Sequence, residues 1–392
     1  MNIFIIPSWY PSESHPTVGI FFHEQARLMA QARPDWNIGV SIWGSHEPKL
    51  WVHRSTPLDS LIKLGSKPAL KPYDNLVETN CVEFFTPAYT WTRSILKGNM
   101  KGIGHANKRN FERFEAHFGP IDIVHAHVSY PAGAIAKELS GLKKLPYLIT
   151  EHMSPFPMPS FKRSTSKYLI PPLKSASAVL SVGQKLSQEL SSFGINSRRI
   201  NNFVDLEQFK VSDFTSEVPE IFALGRLEPQ KNFQVLINSL AYLKDKPWKL
   251  SIGGDGTELK RLKKLVLKHG LEGRISFLGT LDQTEVAYQM KHSSFLVMPS
   301  LHESFGVVAL EAMACGKPVI VTKSGGIDEQ IPEDVGLVVE LTEEALIRGL
   351  SQMIENYHSY DVDHIRSFVE KTFSPAQVCS QLEEIYNEIL TQ

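Results

Sequence analysis

The chain has 392 residues, of which 42% are hydrophobic and 21% are charged, and this composition is typical of a globular protein rather than a disordered or fibrous one. Its 41 Lys and Arg residues against 42 Asp and Glu residues give a formal net charge of -1. A balanced charge provides no overall attraction to nucleic acid or to an anionic membrane, so no nucleic-acid partner is expected. The length favours two domains, because one domain usually takes about 100–200 residues.

Cysteine usage and the hydrophobic runs indicate the compartment. The three cysteines, Cys81, Cys315 and Cys379, are too few and too far apart for a disulfide framework, which favours a reducing compartment. The N-terminal segment has too few apolar residues before Pro7 for a secretory signal, and no run of 18 apolar residues occurs. We therefore expect a cytoplasmic protein that at most makes peripheral contact with the cytoplasmic face of the inner membrane. No oligomeric state is predicted.

In the first half of the chain, short runs rich in β-branched and aromatic residues alternate with stretches of helical period. This pattern is typical of a parallel sheet covered by helices on both faces. Strands are predicted at 2–7, 37–43, 77–85, 121–126, 147–150 and 178–182, and helices at about 19–32, 101–118, 132–139 and 184–192. Residues 45–75 are polar and weakly periodic, which predicts a long functional or mobile loop.

In the second half, periodicity weakens over 206–219 and the alternation then begins again, so the domain boundary is placed in this stretch. Strands are predicted at 220–224, 249–252, 275–278, 295–298, 318–321 and 337–339, and the clearest helices at 233–244, 258–269, 285–291, 307–315 and 376–390. The fold class is therefore α/β, with two doubly wound parallel sheets of the Rossmann type. Such sheets bind ligands beyond the carboxyl ends of their strands, which is where the motifs below lie.

Two carboxylates with seven residues between them, Glu303 and Glu311, follow the predicted strand 295–298. Gly306 opens the helix that comes next. Free N–H groups at a helix N-terminus bind anions, so the backbone of residues 305–307 could hold a phosphate. The carboxylates could accept hydrogen bonds from sugar hydroxyl groups. In the alternative interpretation, Glu303 stabilises the helix start and Glu311 is only solvated.

A second candidate is the turn after the predicted strand 220–224. Arg226 and Lys231 lie five residues apart there and could bracket a diphosphate, the arginine as a planar fork and the lysine as a point charge. Exposed basic residues at turns are also often only solvated, so both interpretations stay open.

Histidines follow two predicted strands of the first half. His125 and His127 come at the end of one strand, and His152 follows Thr150 at the end of the next. Residues two apart in a strand face the same side, so the first two histidines share a face. The favoured role is hydrogen bonding to a substrate, and the alternatives are a zinc site built from all three histidines or a structural role for His125 in the core.

Three further features are discounted. The stretch 253–256 lacks the third glycine of a dinucleotide-binding fingerprint. Asp361 and Asp363 resemble a metal-binding pair but precede a predicted helix, where Asp usually serves as a cap. A basic run could touch anionic lipid headgroups, although a solvated helix face explains it equally well. Its members are Lys97, Lys101, Lys108, Arg109 and Arg113.

Taken together, these motifs resemble the retaining glycosyltransferases of family 4, which have the GT-B fold, and the resemblance spans nearly the whole chain. Its most specific element is the E-x(7)-E segment followed by the stretch 318–329. The G-R-x(4)-K turn at Gly225, the H-x-H after a strand and residues 202–209 support it. The stretches 8–11 and 19–22 are similar to a branch that builds bacterial surface polysaccharides.

The resemblance implies a retaining enzyme that moves a sugar from a nucleotide-diphosphate sugar, with a UDP-sugar expected, to a hydroxyl group of a glycan or lipid-linked glycan. It implies two Rossmann-like domains facing each other across a cleft: 1–204 with 375–392 for the acceptor, and 205–374 for the donor. No cofactor or metal is implied, because basic side chains and a helix N-terminus can neutralise the leaving diphosphate. The implied donor site comprises Arg226, Lys231, Leu281, Glu303, Ser304, Phe305, Gly306, Val307 and Glu311.

The implied catalytic residues are His127, Glu303, Arg226 and Lys231, and the implied acceptor-side residues are Gly19, His125, His127, Thr150 and His152. The working hypothesis is front-face attack, in which the departing phosphate takes the acceptor's proton. A covalent intermediate on Glu303 is the alternative mechanism. The alternative functions are a GT-B-type sugar-nucleotide epimerase, a glycan phosphorylase and a non-catalytic nucleotide-sugar-binding protein.

Overall fold

The computed structural model describes residues 1–12, 18–44, 58, 71–88, 99–158 and 166–391. The chain divides into two compact units. The first consists of Met1–Ser181, Ser187–Ile200 and Cys379–Gln392, and the second of Val182–Leu186 and Asn201–Val378. The domains predicted from the sequence are 1–204 with 375–392, and 205–374. Lys97 and most of the predicted loop, residues 45–57 and 59–70, lie outside the described residues.

The first unit is built on one mixed sheet. Its strands are β1 (Asn2–Pro7), β2 (Asn37–Trp43), β3 (Tyr73–Glu78), β4 (Cys81–Thr86), β5 (Ile123–His127), β6 (Tyr147–Glu151), β7 (Ala178–Ser181) and β8 (Arg198–Arg199). The strand order is β3-β4-β2-β1-β5-β6-β7-β8, and every pair except β3–β4 is parallel. The helices that begin before residue 200 are α1 (Ile20–Ala32), α2 (Met100–Phe118), α3 (Ala134–Lys143), α4 (Ser166–Ser175) and α5 (Gln184–Ser191).

The prediction of a single strand over 77–85 is wrong. The chain forms β3 and β4 there, and the two strands pair antiparallel across a turn at Thr79 and Asn80. The Asn80 side chain donates hydrogen bonds to three backbone carbonyl oxygens at the end of α1 and before β2, which fixes the turn. As a result β3 lies at the edge of the sheet, and residues 73–75 of the predicted loop belong to a strand.

The second unit confirms the predicted parallel sheet. Its strands are β9 (Glu220–Leu224), β10 (Lys249–Gly253), β11 (Ile275–Gly279), β12 (Phe295–Met298), β13 (Val319–Thr322) and β14 (Gly336–Val339). They lie in the order β11-β10-β9-β12-β13-β14, and all pairs are parallel. The helices are α6 (Phe233–Ala241), α7 (Leu259–His269), α8 (Gln283–Lys291), α9 (Val307–Ala314), α10 (Glu343–Asn356), α11 (Val362–Phe373) and α12 (Pro375–Leu390). From Cys379 onward, α12 belongs to the first unit.

Burial explains why the sequences of the central strands are continuous apolar runs. All four residues of β12 and all four of β13 are buried, because helices cover both faces of a parallel sheet. No helix among the described residues is long and apolar enough to cross a membrane.

Strand order determines where a ligand site can form. In the first sheet the order reverses between β1 and β5, and in the second between β9 and β12. A crevice forms at the carboxyl ends of the strands at such a switch point. His127 ends β5, Arg226 follows β9, and Glu303 follows β12, so each unit has its candidate residues at its own switch point.

Candidate functional site

In the second unit, a lysine and a buried glutamate meet at the carboxyl edge of the sheet. Lys231, in the turn after β9, places Nζ 2.5 Å from Oε1 of Glu303, which follows β12. The Ser300 hydroxyl donates to the same carboxylate oxygen at 2.7 Å. The adjacency of β9 and β12 therefore joins two motifs that were predicted separately. Ser300 was not among the predicted site residues, since one serine after a strand carries no distinctive signal.

Arg226 does not join this ion pair. Its side chain is 83% exposed, and its nearest carboxylate is that of Glu228, at 3.7 Å. The predicted bracket of Arg226 and Lys231 around one anion stays a prediction, since the structure places Lys231 on Glu303 and Arg226 towards solvent.

The discounted glycines between β10 and α7 shape the turn that carries Arg226. Gly254 has a φ of 121°, and a Cβ atom there would lie 2.0 Å from the carbonyl oxygen of Gly225. Only glycine permits this approach of two backbone segments. The motif therefore has a packing role beside the candidate site.

Helix α9 begins directly beside the ion pair. Its N-cap, Gly306, has a φ of 103°, and a Cβ atom there would meet the Met298 side chain at 2.8 Å. Phe305 is buried, whereas Ser304 and Val307 are half-buried. Within the described part of the chain, the N–H groups of residues 304–307 have no hydrogen-bond acceptor. These donors and the helix dipole favour an anion at this end.

Glu311 is half-buried inside α9. Its carboxyl group makes no hydrogen bond or ion pair with any residue that the structure describes. Burial raises the pKa of Glu311 to about 8. The group is therefore not simply solvated, and its hydrogen-bonding capacity is open to a ligand.

Leu281 lies just beyond β11 and is half-buried. It borders a depression of about 450 Å³ lined by Leu278, Leu281, Thr284, Glu285, Tyr288 and Gln289. The Leu281 side chain also lies against Gly253, where a Cβ atom would be 2.9 Å away. Leu281 therefore lines a surface depression of the second unit.

In the first unit, His127, which is buried, and His152, which is half-buried, form an imidazole pair. Nδ1 of His127 lies 3.1 Å from Nε2 of His152. The ring of Phe22 packs against both imidazoles, with centroid distances of 5.1 and 5.3 Å. Nε2 of His127 has no hydrogen-bond partner among the described residues, so this nitrogen can serve a ligand.

His125 is engaged on both ring nitrogens. Nδ1 lies 2.7 Å from the Tyr386 hydroxyl, and Nε2 lies 2.7 Å from Oγ1 of Thr150. The His125 ring stacks on that of His127 at 4.4 Å. His125 and Thr150 are thus hydrogen-bonded to each other, and the His125 ring packs against the ring of His127. Tyr386 was missed, because one tyrosine in the apolar stripe of a helix looks like any core residue.

Burial keeps these imidazoles neutral. It lowers the pKa of His125 and of His152 to about 3, and it lowers the pKa of His127 well below its ordinary value. Of the nitrogens that a zinc site built from these three residues would use, both of His125 face Tyr386 and Thr150, and one each of His127 and His152 face one another. Across the described ranges, no group of three or more His, Cys, Asp or Glu side chains could hold a metal ion.

Gly19 orients the helix that carries Phe22. It is the N-cap of α1, with a φ of 75°, and a Cβ atom there would lie 2.8 Å from the carbonyl oxygen of Trp9. A side chain at this position would force α1 away from the segment that follows β1. Gly19 therefore acts through its conformation.

Two discounted features can be placed as well. Asp361 caps α11, since its Oδ1 accepts hydrogen bonds from the N–H groups of Asp363 and His364. On α2, Lys101, Lys108 and Arg109 are exposed. Their neighbour in the basic run, Arg113, instead pairs with Asp74 and donates to the Phe85 carbonyl oxygen.

Two family patterns match the chain. Residues 204–367 match the family Glycosyl transferases group 1, and residues 89–208 match Glycosyltransferase Family 4. Together the matches cover more than half of the chain. The chain belongs to glycosyltransferase family 4. Its two Rossmann-like units are those of the GT-B fold.

Individual relatives agree with this assignment. The uncharacterized glycosyltransferase MJ1178 of Methanocaldococcus jannaschii is 30% identical over 224 residues, which cover 56% of this chain and 61% of that protein. The chain thus spans less than two thirds of the length of that relative. The putative teichuronic acid biosynthesis glycosyltransferase TuaC of Bacillus subtilis is 25% identical over 355 residues, or 87% of this chain and 85% of TuaC. Anabaena HepE, solved in complex with UDP, shares the fold with a TM-score of 0.70 at 18% identity, over 99% of this chain and 100% of HepE.

Proposed function

We propose that this family member transfers a sugar, with retention, from a UDP-sugar to a hydroxyl group of a glycan or lipid-linked glycan in bacterial surface polysaccharide synthesis. The similarity to TuaC, a putative teichuronic acid biosynthesis glycosyltransferase, supports the pathway, and the UDP bound by HepE supports the nucleotide. The products would be the extended acceptor and UDP.

One observation carries the donor side of this proposal, namely the Lys231–Glu303 pair beside the start of α9. A diphosphate bound there would meet the lysine and the N–H groups of residues 304–307, for which no described residue provides an acceptor. Glu311, which has no partner in the part of the chain that the structure describes, would accept hydrogen bonds from the ribose hydroxyl groups. These groups recognise a diphosphate and a sugar without requiring a particular base.

In the first unit, His127 offers a neutral imidazole at the end of β5. Its Nε2, which no described residue contacts by a hydrogen bond, can exchange one with a sugar hydroxyl group, and its low pKa keeps the ring uncharged at neutral pH. We assign His125, Thr150 and His152 to the support of His127, because their polar atoms already face one another.

The proposed mechanism depends on how the negative charge that develops on the leaving diphosphate is stabilised. As the bond from the anomeric carbon to the diphosphate breaks, Lys231 and the α9 N–H groups stabilise the released oxygen. The acceptor oxygen then bonds to the same face of the anomeric carbon, and its proton passes to the departing phosphate. Oε1 of Glu303 already accepts hydrogen bonds from Lys231 and Ser300, which lowers its nucleophilicity and favours this front-face route over a covalent intermediate.

The direct test is a panel of UDP-, GDP- and ADP-sugars. We expect one UDP-sugar to raise the melting temperature and to release UDP slowly in the presence of EDTA, because cationic side chains take the role of a metal. Proton NMR of the glycoside formed with a model acceptor should show the anomeric configuration of the donor.

Other outcomes would identify the alternative functions. Conversion of the donor sugar without an acceptor would indicate an epimerase, and transfer to phosphate would indicate a phosphorylase. A donor that binds and stays intact with every acceptor would indicate a non-catalytic binder. If no nucleotide sugar binds, the proposed donor site is wrong.

A further inference from the structure

We propose that Glu151 is a positioning residue for His127, holding the two loops that carry the imidazole pair in one geometry. The proposal rests on the proposed function only in assuming that His127 contacts the substrate. Glu151 was absent from the predicted site, and the mechanism above gives it no chemical step.

Glu151 ends β6 and is completely buried. Its Oε2 accepts a hydrogen bond from the N–H of Ser129 at 3.0 Å. Its Oε1 accepts two more, from the N–H groups of His152 at 3.0 Å and Met153 at 2.9 Å. No lysine, arginine or histidine within the described ranges forms an ion pair with it. Three backbone donors therefore stabilise this carboxylate, and a buried carboxylate is unfavourable without such partners.

These three bonds join the ends of two neighbouring strands. Ser129 follows β5 two residues after His127, whereas His152 and Met153 follow β6. The side chain of His152 then contacts Nδ1 of His127. One carboxylate thus sets both the backbone beyond His127 and the backbone of its imidazole partner.

The backbone between His127 and Ser129 needs such a restraint. Val128 has a φ of 74° and a ψ of 136°, a region that a β-branched residue rarely adopts. Its N–H donates to the Thr150 carbonyl oxygen at 2.8 Å, and its own carbonyl oxygen accepts from Gly133 at 3.1 Å. Strained conformations persist only where the surroundings determine them, and Glu151 provides the adjacent anchor.

The test is the Glu151→Gln variant, which keeps the shape but turns an amide N–H₂ towards one of the three backbone donors. We expect kcat to fall by about 10- to 100-fold while KM for the donor and Kd for UDP change less than twofold. The matched control is Asp122→Asn. Asp122 also lies in the first unit and accepts one backbone hydrogen bond, from the N–H of Asn2 at 2.7 Å, but it precedes β5 and so lies at the end of that strand opposite His127. We expect the control to retain wild-type kcat.

Imidazole NMR separates positioning from general destabilisation. In protein labelled with ¹⁵N-histidine, Glu151→Gln should shift the ring signals of His127 and His152, assigned through His127→Asn and His152→Asn variants. The control should leave them unchanged. Unaltered ring signals together with kcat within threefold of wild type would overturn the proposal.

Two provisions keep the outcome decisive. If Glu151→Gln does not fold, Glu151→Asp is used with the same criteria, because it keeps the charge and only shortens the reach. If the wild-type protein transfers no sugar, the proposed function fails, but the NMR comparison still decides whether Glu151 orients His127. The two failures are therefore distinguishable.

Discussion

The two units place their candidate residues at equivalent points of similar sheets, yet burial acts there in opposite chemical directions. In the first unit, burial lowers the pKa of His125 and His152 to about 3, so the site is a set of neutral hydrogen-bonding rings. In the second unit, burial raises the pKa of Glu311 to about 8, and Lys231 and Glu303 form an ion pair near the start of the same helix.

This contrast shows that the switch point of a doubly wound sheet supplies a location without prescribing a chemistry. Neutral imidazoles suit hydroxyl groups, whereas a lysine and a helix N-terminus suit a diphosphate. The same contrast predicts opposite responses to pH, and it predicts different kinetic effects of mutation in the two units.

Acidification should produce the largest effect, and it should act on the first unit. The pKa values of His125, His127 and His152 in the folded state lie below the ordinary value of 6.5. As pH falls below about 6.5, these histidines therefore become protonated in the unfolded state while they stay neutral in the folded state. The free energy of unfolding should then fall by up to about 1.4 kcal/mol per pH unit for each histidine. This loss should continue towards pH 3.

Three buried cysteines can report this unfolding separately for each unit. Cys81 and Cys379 belong to the first unit and Cys315 to the second. In urea titrations at pH 7, 6 and 5 with a disulfide reagent that reacts in acid, the first two thiols should become reactive at progressively lower urea than Cys315. His358→Gln, which removes an exposed histidine, is the control. Exposure of Cys315 first at pH 5 would contradict the comparison.

Glu303→Gln should have the largest kinetic effect. The variant leaves Lys231 without its counter-charge and removes the carboxylate beside the start of α9, so we expect kcat to fall by about 100-fold with UDP affinity nearly kept. Steady-state kinetics and calorimetric titration with UDP measure the two quantities. Glu340→Gln is the control, since Glu340 pairs with Lys323 at an exposed position. A larger effect on UDP binding than on kcat would mean that Glu303 contacts the nucleotide instead.

Lys231→Ala and Arg226→Ala should each lower kcat/KM. Loss of a charge-assisted contact to the diphosphate costs about 1.5–3 kcal/mol, or roughly 10- to 150-fold. Arg261→Ala serves as control, because Arg261 is another exposed arginine of this unit and pairs with Glu258. If Lys231→Ala lowers kcat/KM and Arg226→Ala does not, the diphosphate contact belongs to Lys231, which the ion pair with Glu303 holds in place, and not to Arg226. Unchanged kinetics for both variants would reject the diphosphate assignment.

Glu311→Gln should have the smallest effects. We expect Kd for UDP to rise by about tenfold, because the amide has one acceptor oxygen where the carboxyl group has two oxygens to accept hydrogen bonds from the ribose hydroxyl groups. The raised pKa also means that the folded state keeps a proton that the unfolded state loses, so this group lowers the free energy of unfolding as pH rises from about 4.5 to 8.

Because Glu311 lowers the free energy of unfolding as pH rises, Glu311→Gln should be more stable than the wild type at high pH. Urea titrations followed at Cys315 should show the variant gaining about 1 kcal/mol or more over the wild type between pH 5 and pH 8. Parallel stability curves for the two proteins would show that Glu311 is not desolvated.

Local sequence signals were sufficient for much of the fold but failed at identifiable places. The hydrophobic runs of β9 and β12 were found because buried parallel strands are continuously apolar. Residues 77–85 were misread as one strand, because the turn at Thr79 and Asn80 carries no glycine or proline. Helix α4 was missed, because Pro171 and Pro172 lie inside it and proline usually ends a helix.

By itself, the sequence determined the α/β class, the strand-end positions of the motifs and the residue types that suit a nucleotide sugar, since all of these are local patterns. Only the tertiary structure decided which motifs meet. Lys231 reaches Glu303 across 72 residues because β9 pairs with β12, and Tyr386 reaches His125 across 261 residues because the end of α12 packs into the first unit. The pKa shifts belong to the same category, because burial depends on what the rest of the chain places around a side chain.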